Sequence, residues 1–99
     1  MSTNFLEEVF SSRIRVRVVR KLIQYKEINI TKLTKDLGLN HRIIEQHINA
    51  LKNLGIVEEK RFGRIRIIRL VENDVRVMAI ERLFLEIEGK GNNDSLNRD

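Results

Sequence analysis

The chain has 99 residues, 19 Lys and Arg against 14 Asp and Glu, a formal net charge of +5 and 41% apolar content, enough for one compact domain and not for two. It has no cysteine, and no apolar run approaches the roughly 20 residues that span a bilayer, which excludes disulfide frameworks, thiolate metal sites, cysteine nucleophiles and a membrane helix. Acids stand at Glu7 and Glu8, where a secretory leader carries basic then apolar residues, so a soluble cytoplasmic protein is expected.

In chain order, Phe5, Leu6, Val9 and Phe10 have the spacing of a short amphipathic helix, followed by Ser11 and Ser12, either of which can cap the next one. Residues 13–20 alternate like a strand. They also place Arg13, Arg17, Arg20, Lys21 and Gln24 on one helical face opposite Ile14, Val18, Val19, Leu22 and Ile23, and a helix to about Tyr25 is the reading adopted. Arg15 conflicts with it, because it falls inside the apolar arc and needs a helix end or a partner subunit to relieve it. Residues 27–30 are β-branched and fit one short strand.

Thr31 is the expected cap of a two-turn helix with Leu33 and Leu37 inside, ending at Gly38, the residue suited to a left-handed helix end. Asn40 can cap the next helix, whose stripe Ile43, Ile44, Ile48, Leu51 and Leu54 runs to Gly55. Two helices joined by a glycine-containing turn are the helix-turn-helix pattern. Residues 56–62 and 65–71 are β-rich and separated by Gly63-Arg64, which predicts a tight hairpin with a basic tip. A last helix, capped by Asn73 and running to about Glu88, is apolar around most of its circumference, so one side should meet a second copy of the chain. Phe5, Val9, Ile80, Leu83, Phe84 and Ile87 are the expected dimer contacts. From residue 89 the composition turns polar and glycine-rich, as in a disordered tail.

Charge is segregated along this order. Residues 11–70 hold 15 Lys and Arg against five acids, a net +10, and both flanks are acidic. A positive middle can release counterions from a polyanion. The 12 arginines suit phosphate contact, and with only two histidines the inventory for acid–base catalysis is thin.

Helix, short strand, helix, helix, hairpin, helix is the order of a winged helix-turn-helix, a mainly α fold with a small β-hairpin, extended here by a C-terminal helix. Residues 39–57, above all the ending His47-Ile48, Leu51, Gly55, Ile56 and Val57, resemble the second half of the helix-turn-helix in ArsR-like repressors. The resemblance covers roughly residues 12–71, the core of a domain that spans 1–88, and the small archaeal members with a dimerisation helix, here residues 73–88, look most similar along the chain. It implies binding of double-stranded DNA by a homodimer associated with the nucleoid, although winged helices also dock proteins.

A helix entering the major groove keeps an apolar rear and shows hydrogen-bonding side chains in front. Ile44, Ile48 and Leu51 supply the rear, and His41, Arg42, Glu45, Gln46 and Asn49 the front. Arg pairs with guanine, Gln or Asn with adenine and Glu with cytosine, although Glu45 can instead restrain Arg42 along the helix. Arg61, Arg64 and Arg66 at the hairpin tip suit the DNA backbone or minor groove; a β-edge protected by charge would favour them too. Thr31, Lys32 and Lys35 are placed to face phosphates, which for the lysines competes with plain solubility, and the capping Asn40 is counted with the expected DNA-binding residues. The stripe Arg13, Arg17, Arg20 and Lys21 is left unplaced.

His41 and His47 are six apart, about 120° from facing each other on a helix, and cannot share a metal as an i, i+4 pair could. Metal-sensing relatives use cysteines on the helix before the reading helix, or Asp and His on the last helix. This chain has Lys32-Leu33-Thr34-Lys35-Asp36-Leu37 in the first place and no His after His47, so no metal or other cofactor is expected. No paired carboxylates, His–nucleophile pattern or phosphate-binding glycine loop points to an enzyme. The expected function is sequence-specific transcriptional regulation; the alternatives are a sequence-independent architectural DNA-binding protein and a winged-helix protein-docking module.

Overall fold

The computed structural model describes residues 4–89. Eight elements follow in order: α1 (Phe5–Val9), α2 (Arg13–Tyr25), β1 (Glu27–Asn29), α3 (Ile30–Leu37), α4 (His41–Asn53), β2 (Val57–Phe62), β3 (Ile65–Leu70) and α5 (Val75–Glu88). The expected tail lies outside the described residues except for Gly89.

Each helix starts where a short polar side chain can satisfy its free amides. Asn4 Oδ1 accepts from the Leu6 and Glu7 amides, and Ser12 Oγ accepts from the Arg15 amide at 3.0 Å. Two expected caps move. Asn29, not Thr31, caps α3 by accepting from the Thr31 amide at 2.8 Å, which brings Ile30 into the helix, where it is buried. Asp74, not Asn73, caps α5, accepting from the Arg76 amide at 2.7 Å and adding a negative charge at the helix's positive end. Gly38 closes α3 in the left-handed conformation, φ 66°, as the turn between the two motif helices requires.

The three strands form an antiparallel sheet in the order β1-β3-β2, so the hairpin's second strand is central. Ile28 pairs with Ile68 and Val57 with Leu70, placing these four buried side chains on the inner face. Gly63, φ 60°, takes the first central position of the two-residue turn, where a type II′ hairpin requires glycine.

The core joins α1–α5 with the sheet. Val9, Val18, Leu22, Leu33, Ile44, Ile48, Leu51 and Ile68 are all fully buried, and among the described residues no polar or charged residue is. Three expected dimer contacts are thereby corrected. Val9, Ile80 and Phe84 belong to the subunit's own core, because α1 and α5 turn these side chains inward and Phe84 stacks on Phe10. Phe5 is half-buried against the same core. Leu83 and Ile87 remain exposed, as do Val75, Met78 and Leu85.

Candidate nucleic-acid interface

Helix α4 is built as an amphipathic bar. Asn40 Oδ1 accepts from the Ile43 amide at 2.9 Å, fixing the first turn, while Ile44, Ile48 and Leu51 have no exposed surface. Burial of three such side chains contributes roughly 5–9 kcal/mol to holding the helix against the core. Its front presents His41, Arg42, Gln46 and Asn49 to solvent, with Thr31, Lys32 and Lys35 exposed on the preceding helix. Arg42, Gln46, Asn49, Lys35 and Arg64 have no side-chain partner among the described residues. Asn40 is different, since its oxygen is occupied by the cap. Lys32 lies 3.3 Å from Asp36, which Lys21 also approaches at 3.9 Å.

Glu45 is drawn out of the expected reading face, and Arg66 out of the expected hairpin-tip contacts. Arg66 donates to Glu59 at 2.6 and 3.0 Å, and both of its terminal nitrogens donate to Glu45, the longer contact at 3.2 Å. The Arg66 side chain is only 15% exposed, because position 66 shares the inward parity of Ile68 and Leu70 on β3. Its guanidinium therefore fastens α4 to the hairpin and does not reach outward. Glu59 also receives Lys52 at 3.1 Å and lies 3.2 Å from Arg61, while His41 stands 2.9 Å from Glu45. Five charged groups, with His41 at the rim, make one continuous chain from the start of α4 to the base of the hairpin.

The electrostatics follow from the contacts. Hydrogen bonds from Arg66, then from Lys52, hold the Glu59 carboxyl at about 2, against an ordinary 4.5. Glu45 is lowered for the same first reason, and Arg66 is raised by the two carboxylates it bonds.

Three of the four arginines of α2, whose roles composition could not separate, are structural ties, while Arg13 is exposed with no side-chain partner among the described residues. Arg15 Nε donates to His47 Nδ1 at 3.0 Å, and its Nη1 donates to the Glu8 carbonyl at 2.7 Å. The conflict over Arg15 is thus relieved inside the subunit, by a hydrogen-bonded bridge from α1 to α4. His47 must be neutral at Nδ1 to accept, and burial, followed by the nearby Arg15 charge, lowers its pKa from 6.5. Arg17 donates to the Leu37 carbonyl at the end of α3, and Arg20 makes a two-point pair with Glu88 at 2.9 and 2.7 Å. No periodicity could have found the contacts to His47, Leu37 and Glu88, which join residues 20 to 68 positions apart.

Among the described residues no group of three or more His, Cys, Asp or Glu could hold a metal ion, and no helix is long and apolar enough to cross a membrane. The supported geometry is a positive, partly unpaired polar surface on α3, α4 and the hairpin tip, with its parts locked in register.

Comparison with known proteins gives this surface a lineage. Residues 12–59 match the family described as bacterial regulatory protein, arsR family. This chain carries an ArsR-family regulatory helix-turn-helix. The match ends within β2, and the solved structures extend the likeness through the rest of the fold. HlyU from Vibrio cholerae superimposes with a TM-score of 0.72 at 19% identity, over 84% of this chain and 87% of that one. The transcriptional repressor PagR of Bacillus anthracis gives 0.67 at 21% identity, over 81% and 87%. The transcriptional repressor BigR from Xylella fastidiosa gives 0.69 at 22%, over 84% and 81%. At these identities the superpositions show a shared winged-helix architecture. No curated protein matches in sequence. The ArsR family is one of DNA-binding transcriptional regulators, not of enzymes; the finer likeness to small archaeal members is not part of that assignment.

Proposed function

We propose that this ArsR-family regulator reads duplex DNA as a homodimer, with α4 in the major groove and the hairpin tip on the adjoining backbone or minor groove. One observation carries the reading: α4 buries Ile44, Ile48 and Leu51 completely while Arg42, Gln46 and Asn49 stand exposed. A surface helix needs only charge to stay soluble. Uncharged amides beside an arginine offer the donor and acceptor pairs that base edges match. Thr31, Lys35 and Arg64 then serve as phosphate contacts, joined by Lys32 and Arg61 where their carboxylate partners yield to phosphate.

The second copy is inferred from α5. Its inner stripe, Val77, Ile80 and Phe84, is buried, while Val75, Met78, Ala79 and Leu83 line an open apolar groove on the opposite side. Pairing of two such stripes would hold two reading helices toward successive major grooves. A DNA-binding regulator of this kind works in the cytoplasm, on the nucleoid.

Selection of bound sequences from random duplex DNA at near-physiological salt tests the proposal. Enrichment of a two-fold symmetric site with half-sites about one helical turn apart is the expected outcome. Binding without enrichment would replace it with an architectural role, and no binding to duplex even at low salt with a protein-docking role.

A further inference from the structure

The hairpin tip carries a feature that phosphate contact does not explain. Phe62 is 62% exposed and Ile65 49% exposed, and they face each other across the hairpin as direct cross-strand partners. Strand alternation puts this pair on the outer face of the sheet, opposite the face that carries Arg66 and the buried Ile68. Half-buried Ile67 continues it two pairs nearer the body of the sheet, opposite Lys60. Exposed tips of two-residue hairpins are ordinarily polar, and a phenylalanine there leaves a large apolar surface in water.

What surrounds the pair identifies its partner. Lys60 shares the outer face and Arg64 sits in the turn, both without a carboxylate partner among the described residues, Arg61 stands 64% exposed on the opposite face, and residues 60–66 contain no acid. An apolar pair flanked by cations complements a slot with apolar walls and anionic rims. The minor groove of duplex DNA is such a slot, with deoxyribose along its walls and phosphates along both edges. The outer stripe of α5 lacks this signature, because it is flanked by both Arg82 and Glu86. Position also fits. Arg66 anchors the hairpin to Glu45 on the reading helix, and the tip projects about 10 Å beyond that anchor at the usual strand rise of about 3.3 Å per residue. With α4 docked as proposed above, that reach is directed toward the neighbouring groove.

The geometry points to Phe62, supported by Ile65, as an apolar wedge that enters the minor groove beside the site read by α4 and leans on a base step. The inference rests on the DNA-binding reading above and adds a contact that carries no charge. A wedge favours steps that unstack easily, so it selects flexible pyrimidine–purine steps at a position where no side chain hydrogen-bonds a base, and it bends the duplex.

The test compares the full-length wild type with Phe62→Ala and Phe62→Leu on a duplex of about 30 base pairs carrying the selected site, or a mixed sequence with a central TA step if none is selected. Affinity is measured across a salt series and the bend by end-to-end energy transfer. Phe62→Ala is expected to lose about tenfold in affinity with an unchanged salt slope, because apolar burial and not charge is removed, and to reduce the bend; Phe62→Leu should retain most of both. Because the side chain is exposed, melting temperature should not move. Wild-type binding with Phe62→Ala unchanged in affinity and bend overturns the wedge and leaves the DNA reading standing. Absence of wild-type binding to duplex at low salt overturns both. If Phe62→Ala instead alters only sedimentation of the protein alone, or only its binding to phosphatidylglycerol vesicles, the tip serves self-association or a lipid surface and the wedge is refuted.

Discussion

Replacing Arg66 with methionine keeps most of the aliphatic stem and removes the guanidinium that joins Glu45 of α4 to Glu59 of the hairpin. Glu59 is only 6% exposed and is held at about 2 against an ordinary 4.5, a difference equivalent to about 3 kcal/mol. Lys52 supplies part of that, leaving about 2 kcal/mol for Arg66, which lies between exposed and fully buried ion pairs. For a domain of this size the loss should lower the melting temperature by about 10 °C. The pH dependence has a definite sign. Because the folded carboxyl titrates below its unfolded value, the stabilisation is complete above pH 4.5, about half remains near pH 3, and it is lost as pH falls through 2. Urea unfolding followed by circular dichroism at pH 7, 4 and 3 measures the difference between wild type and Arg66→Met. A deficit that stays the same at pH 7 and pH 3, or one under about 0.5 kcal/mol at pH 7, would show that the network contributes nothing of this kind.

Other expectations follow from separate parts of the molecule. Arg64→Ala should weaken binding to all duplex sequences alike and lower the salt slope by about 1, whereas Arg42→Ala or Gln46→Ala should relax preference at particular bases by about 1–3 kcal/mol; competition assays against single-base variants of a selected site distinguish the two. Leu83→Glu places a charge in the outer stripe of α5 and should yield a folded monomer by sedimentation equilibrium; an unchanged dimer mass would move the interface elsewhere. The folded pKa of His47 lies below its unfolded value, so its contribution to stability is present above about pH 6.5 and lost as pH falls through the lower folded value. His47→Gln, whose amide oxygen can still accept from Arg15, should flatten thermal stability between pH 7.5 and 5; an undiminished slope would assign the dependence to other groups. Ile48→Ala, which opens a cavity behind the reading helix, should cost about 2–5 kcal/mol in urea unfolding.

Local chemistry made much of the architecture legible. The bounds of α2 and the turn at Gly38 followed from apolar spacing and from one residue suited to a left-handed end. Caps were harder where two candidates stood close together: Asn29 prevailed over Thr31, and Asp74 over its neighbour Asn73, because the burial of Ile30 and Val77 set the helix phase. The dimer residues were read from a helix apolar on nearly every side, and spacing alone could not say that Ile80 and Phe84 turn inward while Leu83 turns outward. In the candidate site, the exposure of Arg42, Gln46 and Asn49 was foreseeable from the buried stripe behind them. The withdrawal of Glu45 and Arg66 was not. Residues 65–70 carry isoleucines on both faces of β3, so alternation does not show which face Arg66 shares, and its partner lies 21 positions away. Arg15 belongs to the same class: its burial was visible, and its acceptor on α4 was not.

Helix α5 is moored to α2 on more than its apolar side. Glu88, at its last turn, is gripped by Arg20, and Glu81, about two turns earlier on the same face, takes the Lys26 ammonium at 2.6 Å. With Val77, Ile80 and Phe84 embedded beneath, the helix cannot roll about its own axis without tearing both moorings. Whatever meets its outer side therefore finds a rigid, preoriented rail, and docking there proceeds as the meeting of finished parts, without the entropy penalty of ordering a loose helix first.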